Sequence, residues 1–312
     1  MTDLHGVQRD ALPCSANCSE TPKIESYPAK EAELGGGLKI RRALPLRQKR
    51  MIGAWCFLDH FGPLDFEGKA MDVAPHPHIG LQTVTWLLEG EIHHKDSLGY
   101  NQVIGPGAVN LMTAGKGITH SEETPPENSG RVHGVQFWIA LPESERRREP
   151  DFQHVAEAPK VTVGNLVVQV FLGEALGQKA EPKVYTPMAG LDVTAKADGE
   201  HRLDLDPTWE YGLVLVNGEI QAEEQTLTGG HLHYLGQNRA DFAFQAARGS
   251  HFVLVGGVPF GEEILMWWNF VARTGEELHK ARSDWENEVH FGPVTDYAGG
   301  RLTAPPLNVN LK

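Results

Sequence analysis

The stretch His76-Pro77-His78-Ile79-Gly80-Leu81-Gln82-Thr83-Val84-Thr85-Trp86-Leu87-Leu88-Glu89-Gly90-Glu91-Ile92 decides the fold. Thr83–Leu88 is rich in β-formers, Glu89-Gly90 bends the chain, and Ile92 opens a second short segment before the polar His93–Ser97. Pro106-Gly107 then turns into another apolar run, Ala108–Thr113. The same order recurs later as Val216-Asn217-Gly218-Glu219-Ile220, followed by Gly229-Gly230. Each copy reads as strand, bend, strand, glycine turn and strand. Two related β-barrel domains with a break near residues 150–160 are therefore expected. His133–Leu141 alternates apolar residues at Val135, Phe137, Ile139 and Leu141, so it has one core face. Val161–Leu172, Tyr211–Val216, Glu219–Gln221 and Phe252–Val258 extend the pattern. The 34 glycines and 20 prolines are scattered between these short runs, as many short strands joined by turns require.

The two ends read differently. Residues 1–36 are polar, lack periodicity and run into Gly35-Gly36-Gly37, so they are expected to be a flexible or loosely docked tail. Cys14 and Cys18 lie there without further ligands nearby and read as tail thiols. Thr274 with Glu277 three residues on forms a capping box. Leu278, Ala281 and Trp285 then fall at helical spacing up to about Asn287. Residues after Phe291 read as an irregular tail. The expected division is a tail at 1–36, a first domain at 37–155, a second at 156–273, and a helix and tail at 274–312.

With 312 residues, 40% hydrophobic and 22% charged, the chain has the means to bury a core. Its formal net charge is −13. The first fifty residues carry nine basic and six acidic residues, which leaves −16 for the rest. So acidic a surface argues against direct nucleic-acid binding. Arg146-Arg147-Arg148 is expected to be a solvated link. No apolar run spans a bilayer, and the first thirty residues lack a secretory apolar region. Three cysteines in so long a chain are not a disulfide framework, so a cytoplasmic setting is expected.

The chemistry lies in His76-Pro77-His78 and His120-Ser121-Glu122. In an extended segment residues i and i+2 share a face, so each triplet offers two ligands to one side. Brought together by a barrel, they would present three imidazoles and one carboxylate. That set suits Fe(II), Mn(II), Ni(II), Cu(II) or Zn(II) and needs no thiolate. On an octahedral metal it leaves two positions open. His231-Leu232-His233 lacks an acidic partner and reads as structural. His93 and His94 are adjacent and face opposite ways in a strand, though His94 could lie near a pocket.

Several segments resemble the pirin family of the cupin superfamily: Arg41-Arg42-Ala43-Leu44-Pro45, Asp59-His60-Phe61-Gly62-Pro63, the opening stretch above with Asp96-Ser97-Leu98-Gly99, Met112–Glu122, and His133-Gly134-Val135-Gln136-Phe137-Trp138. The match is dense over about residues 39–142. The resemblance implies an all-β bicupin, two double-stranded β-helix barrels with a short C-terminal helix. It implies a metal, most simply Fe(II), held by His76, His78, His120 and Glu122 in the first cupin, and a degenerate second cupin. Aligning Gly90 with Gly218 sets Asp204 and Asp206 against His76 and His78, consistent with a second cupin that binds no metal. Two departures bear on substrate: Ile79 stands where many pirins have Arg, and Gln82 where many have Glu.

Two function classes follow from the resemblance. One is a quercetin 2,3-dioxygenase, in which a flavonol-like substrate meets dioxygen and Glu122 accepts the flavonol proton, with Gln136 beside the site. The other is a metal- or redox-sensing regulator that acts through a protein partner, for which Lys39–Arg50, with six Lys/Arg, could form a surface. Turnover needs an open cavity, whereas a sensor can work with a closed one.

Overall fold

The computed structural model describes residues 22–35 and 37–307; Cys14 and Cys18 lie outside them. The fold is an all-β bicupin. The larger sheet of the first cupin runs Asp151–Val155, Val109–Thr113, Leu81–Glu89, Arg131–Ala140, Trp55–Asp65, Leu38–Leu44, Lys30–Leu34 in spatial order. A smaller sheet, Asp72–His78, Ile118–Glu123, Ile92–Asp96, Asn101–Ile104, faces it. The second cupin repeats the plan. Its larger sheet is ordered Glu25–Pro28, His231–Gly236, Glu210–Asn217, His251–Gly257, Met188–Ala195, Leu166–Ala175, Lys160–Val163, and its smaller one Gly199–Asp204, Asp241–Ala246, Ile220–Ala222, Gln225–Leu227. Each cupin is thus a pair of facing sheets, not a barrel closed by hydrogen bonds.

The two larger sheets meet back to back around an aromatic cluster. Phe171 of the second cupin stacks on Trp86 and Phe137 of the first, with centroids 5.0 and 5.5 Å apart, and meets the edge of Trp55 at 6.3 Å. All four rings are almost fully buried. Such pairs contribute about 0.5–1.5 kcal/mol each beyond the area they bury. At the polar margin of this interface Trp86 Nε1 donates to Asp192 Oδ2 at 2.8 Å.

Within the expected tail at 1–36, residues 25–34 need correction. Glu25–Pro28 is an edge strand of the second cupin, and Lys30–Leu34 is an edge strand of the first. Both were illegible because edge strands carry charge on solvated faces. The C-terminal stretch is also docked. Phe270 bridges to Ile79, Leu302 N donates to Pro75 O, and Tyr297 OH donates to Asp72 Oδ1. The segment after the second cupin therefore lies along the smaller sheet of the first.

The helix forms where its signals predict, at Gly275–Glu286. Thr274 Oγ1 accepts from Glu277 N at 3.2 Å, but the Glu277 carboxylate reaches the amide of Arg273 instead of that of the capping residue. It also binds Arg146 and Arg147. The arginine run therefore ties elements together: Arg146 is buried between Glu143 and Glu277, and Arg148 pairs with Glu145.

Candidate metal centre

His76 and His78 end the strand Asp72–His78, and His120 lies in the neighbouring strand, directly opposite His76. Strand parity brings all three rings to the inner face. Their ligating nitrogens lie within 4.8 Å of one another. His78 Nε2 and His120 Nε2 are 3.1 Å apart. Exposure is 6% for His76 and 1% for each of the other two.

Hydrogen bonds assign the tautomers. His76 Nδ1 is 2.9 Å from Ala74 O and His78 Nδ1 is 3.0 Å from Asn269 O. A carbonyl only accepts, so each Nδ1 carries the proton. His120 Nδ1 faces His94 Nδ1 at 3.3 Å, and His94 Nε2 is 3.1 Å from the Asp96 carboxylate. A neutral His94 donates to Asp96, which leaves its Nδ1 to accept from His120. Every proton of the three neutral rings is then used on Nδ1. Three Nε2 lone pairs converge, and no proton remains to relieve the 3.1 Å approach between two of them. With metal–nitrogen bonds of about 2.1 Å, ligands at right angles stand about 3.0 Å apart. The donor set therefore fits a divalent metal.

The electrostatics agree. Burial lowers the pKa of His76 to about 4, and burial together with the neighbouring imidazoles holds His78 and His120 well below the usual histidine range. Neutral imidazole is the form that ligates.

Glu122 stands beside the triad instead of within it. Its strand faces inward with His120, but the pairing with Asp72–His78 slips between His120 and Glu122. Thr85 Oγ1 lies 3.4 Å from Glu122 Oε1 and 3.1 Å from Gln136 Oε1. Burial raises the Glu122 pKa, partly offset by His94 and by the side chains of Thr85 and Gln136. Across the interior, Trp138 sets its ring 5.2 Å from His78 and stacks on Phe57, while Phe152 stacks on His94 at 4.4 Å.

Gln82 turns away from the site. Its amide donates to Thr113 Oγ1 and to Lys183 O, on the face that meets the second cupin. His231 and His233 are structural: His233 bonds Ser26 and Thr228, and His231 bonds Gly229. In the second cupin Leu203 pairs with Phe242, as His76 pairs with His120 in the first. The alignment to Asp204 and Asp206 is therefore off by one residue; Asp204 points to solvent and Asp206 binds Thr208. That interior is filled by Leu203, Ile220, Phe242 and Phe244. Among the described residues His76, His78 and His120 form the one cluster with metal-ligand spacing. Sequence reasoning missed Asp96, Thr85 and Asn269; the i,i+2 parity of His94 and Asp96 was the one signal that could have found any of them.

Comparison with known proteins agrees with this picture. Residues 37–139 match the pirin family and residues 190–292 the pirin C-terminal cupin domain. A Pseudomonas aeruginosa protein named "Putative quercetin 2,3-dioxygenase" is 42% identical over 96% of each chain. Human pirin is 30% identical over 83% of this chain and 90% of its own. A crystal structure titled quercetin 2,3-dioxygenase from Acinetobacter baumannii is 44% identical, covers 92% of this chain and 97% of its own, and superposes with a TM-score of 0.89. A histidine triad in the first cupin and an apolar interior in the second accompany these matches, and the chain belongs to the pirin family.

Proposed function

We propose that the protein is a metal-dependent quercetin 2,3-dioxygenase that opens the ring of a flavonol-like substrate with dioxygen, its metal held by His76, His78, His120 and Glu122. The observation that carries the reading is the convergence of three buried imidazoles, His76, His78 and His120, whose ligating nitrogens lie within 4.8 Å of one another. The names of the relatives supply the substrate class. Fe(II) suits three imidazoles and a carboxylate; Mn(II), Ni(II), Cu(II) and Zn(II) accept the same donors. When bound, the metal would polarise the chelating hydroxyl of the substrate and lower its pKa.

The chain supplies the rest. Glu122, a buried carboxylate beside the three histidines, accepts the flavonol proton. Thr85 has one hydroxyl proton to offer to Glu122 or Gln136. When it goes to Gln136, Glu122 keeps its lone pairs for the substrate. Trp138, Phe57 and Phe152 offer apolar walls to aryl rings. Ring opening places both oxygen atoms in the depside and releases carbon monoxide. A cytoplasmic setting accords with the free, buried Cys56.

One observation favours a second reading, a metal-dependent regulator that works through a protein partner. His78 and His120 are only 1% exposed and His76 6%, so the three rings are buried from solvent. A single assay separates the two. Protein loaded separately with each metal is incubated with quercetin in air, following flavonol absorbance and carbon monoxide, with His78→Ala as the control. Metal-dependent carbon monoxide release, lost in the variant, is expected. A fully metallated protein that leaves quercetin intact would refute the dioxygenase reading for this substrate.

A further inference from the structure

We infer that His94, held by Asp96, is a positioning residue for the metal: a fourth imidazole that does not ligate but fixes the ring and donor strength of His120. The inference rests on the metal reading above and deepens it. His94 is 4% exposed and both its nitrogens are engaged, one toward His120 and one toward Asp96. Three constraints hold it. Phe152 stacks on its face with the ring planes 17° apart. Asp96 Oδ2 takes its Nε2 proton. Asp96 itself cannot turn away, because its Oδ1 accepts the amides of Leu98 at 2.9 Å and Tyr100 at 3.0 Å. The result is a row from carboxylate to imidazole to ligand imidazole. Such a row fixes the tautomer of the ligand and makes its free nitrogen more basic.

The second cupin is an internal control. Its Gly218-Glu219-Ile220 repeats Gly90-Glu91-Ile92, and two residues beyond each isoleucine stand Ala222 and His94. Both are buried on inner faces. Where Leu203 and Phe242 replace the ligand histidines, a methyl group replaces the supporting imidazole. Among the described residues, the polar row is present only in the cupin that has ligands to orient.

The probe is Co(II) alone, titrated into the metal-free full-length protein and read by its visible absorption bands. His94→Phe keeps a ring against Phe152 and removes the acceptor of His120. Asp96→Asn keeps an oxygen for the Leu98 and Tyr100 amides but turns a donor toward His94 Nε2, which reverses the His94 tautomer. Each variant is expected to bind Co(II) about 10- to 100-fold more weakly and with displaced bands. The double variant is expected to be no weaker than His94→Phe, because both changes break one row. Variants that match the unmodified protein in affinity would overturn the inference and leave the metal reading standing. Weaker binding with unmoved bands would also overturn it, by reducing His94 to a packing residue. Failure of the unmodified protein to bind Co(II) would overturn the metal reading and this inference with it.

Discussion

Acid should weaken the metal-free protein well before its exposed carboxylates titrate. Burial, with the adjacent imidazole of His133, lowers the His60 pKa to about 3, and burial lowers that of His76 to about 4. An unfolded chain returns both to about 6.5. Between those values the unfolded state binds more protons than the folded one, so stability falls as pH falls. From pH 6.5 to 5, at about 1.4 kcal/mol per unit, each of these histidines forfeits up to about 2 kcal/mol. The pair therefore removes up to about 4 kcal/mol of a total that is ordinarily about 5–15 kcal/mol. His78 and His120 act in the same direction. Glu122 acts in the opposite one, since its raised pKa lets the folded chain take up that proton early. The assay is urea unfolding of chelator-stripped protein, followed by tryptophan fluorescence at pH 7, 6 and 5. The midpoint should fall steadily. His60→Gln should flatten the dependence by up to about 1.4 kcal/mol per pH unit. A midpoint that stays level or rises between pH 6.5 and 5, or a slope untouched by His60→Gln, would refute the reasoning.

Four substitutions test local features of the fold. Gly90 has φ +83°, and a Cβ there would sit 1.9 Å from Arg131 O, so Gly90→Ala should cost about 2 kcal/mol or more. Gly68, at φ +80° with open space around it, isolates the backbone part of that cost; Gly68→Ala should lose only about 1–2 kcal/mol, and equal urea midpoints for the two variants would deny the clash. Thr274→Ala removes the cap of the Gly275–Glu286 helix and should lower stability by about 1 kcal/mol in the same measurement. Phe171→Ala empties the centre of the aromatic cluster between the cupins and should cost about 3–5 kcal/mol.

Local pattern carried the reading of this chain as far as local physics allows. The repeated strand–bend–strand motif, the i,i+2 histidines and the capping box each express a preference that a few residues can satisfy among themselves. Failures came where a partner decides. Glu25–Pro28 and Lys30–Leu34 are strands because a sheet edge receives them, and their charged residues say only that one face is wet. The comparison of the two cupins slipped by one residue, which in a strand exchanges inner for outer face and turned Leu203 into Asp204. Gln82 follows the histidines closely in sequence yet belongs to the opposite face of its sheet. His94 was correctly separated from His93 by parity, but its use of both nitrogens depends on His120 and Asp96 together.

The carbonyl of Asn269 that fixes the His78 proton has a bearing on the order of biosynthesis. It lies 191 residues after the ring it orients. At about 5–20 residues per second, a ribosome delivers it about 10–40 s after His78 has been added. Once His120 has also been added, the nascent chain holds all three clustered histidines while His78 still lacks the acceptor that fixes its tautomer. Tight metal binding at this site would thereby be deferred until Asn269 has been made, and a product ending before Asn269 would compete poorly for metal with one that contains it.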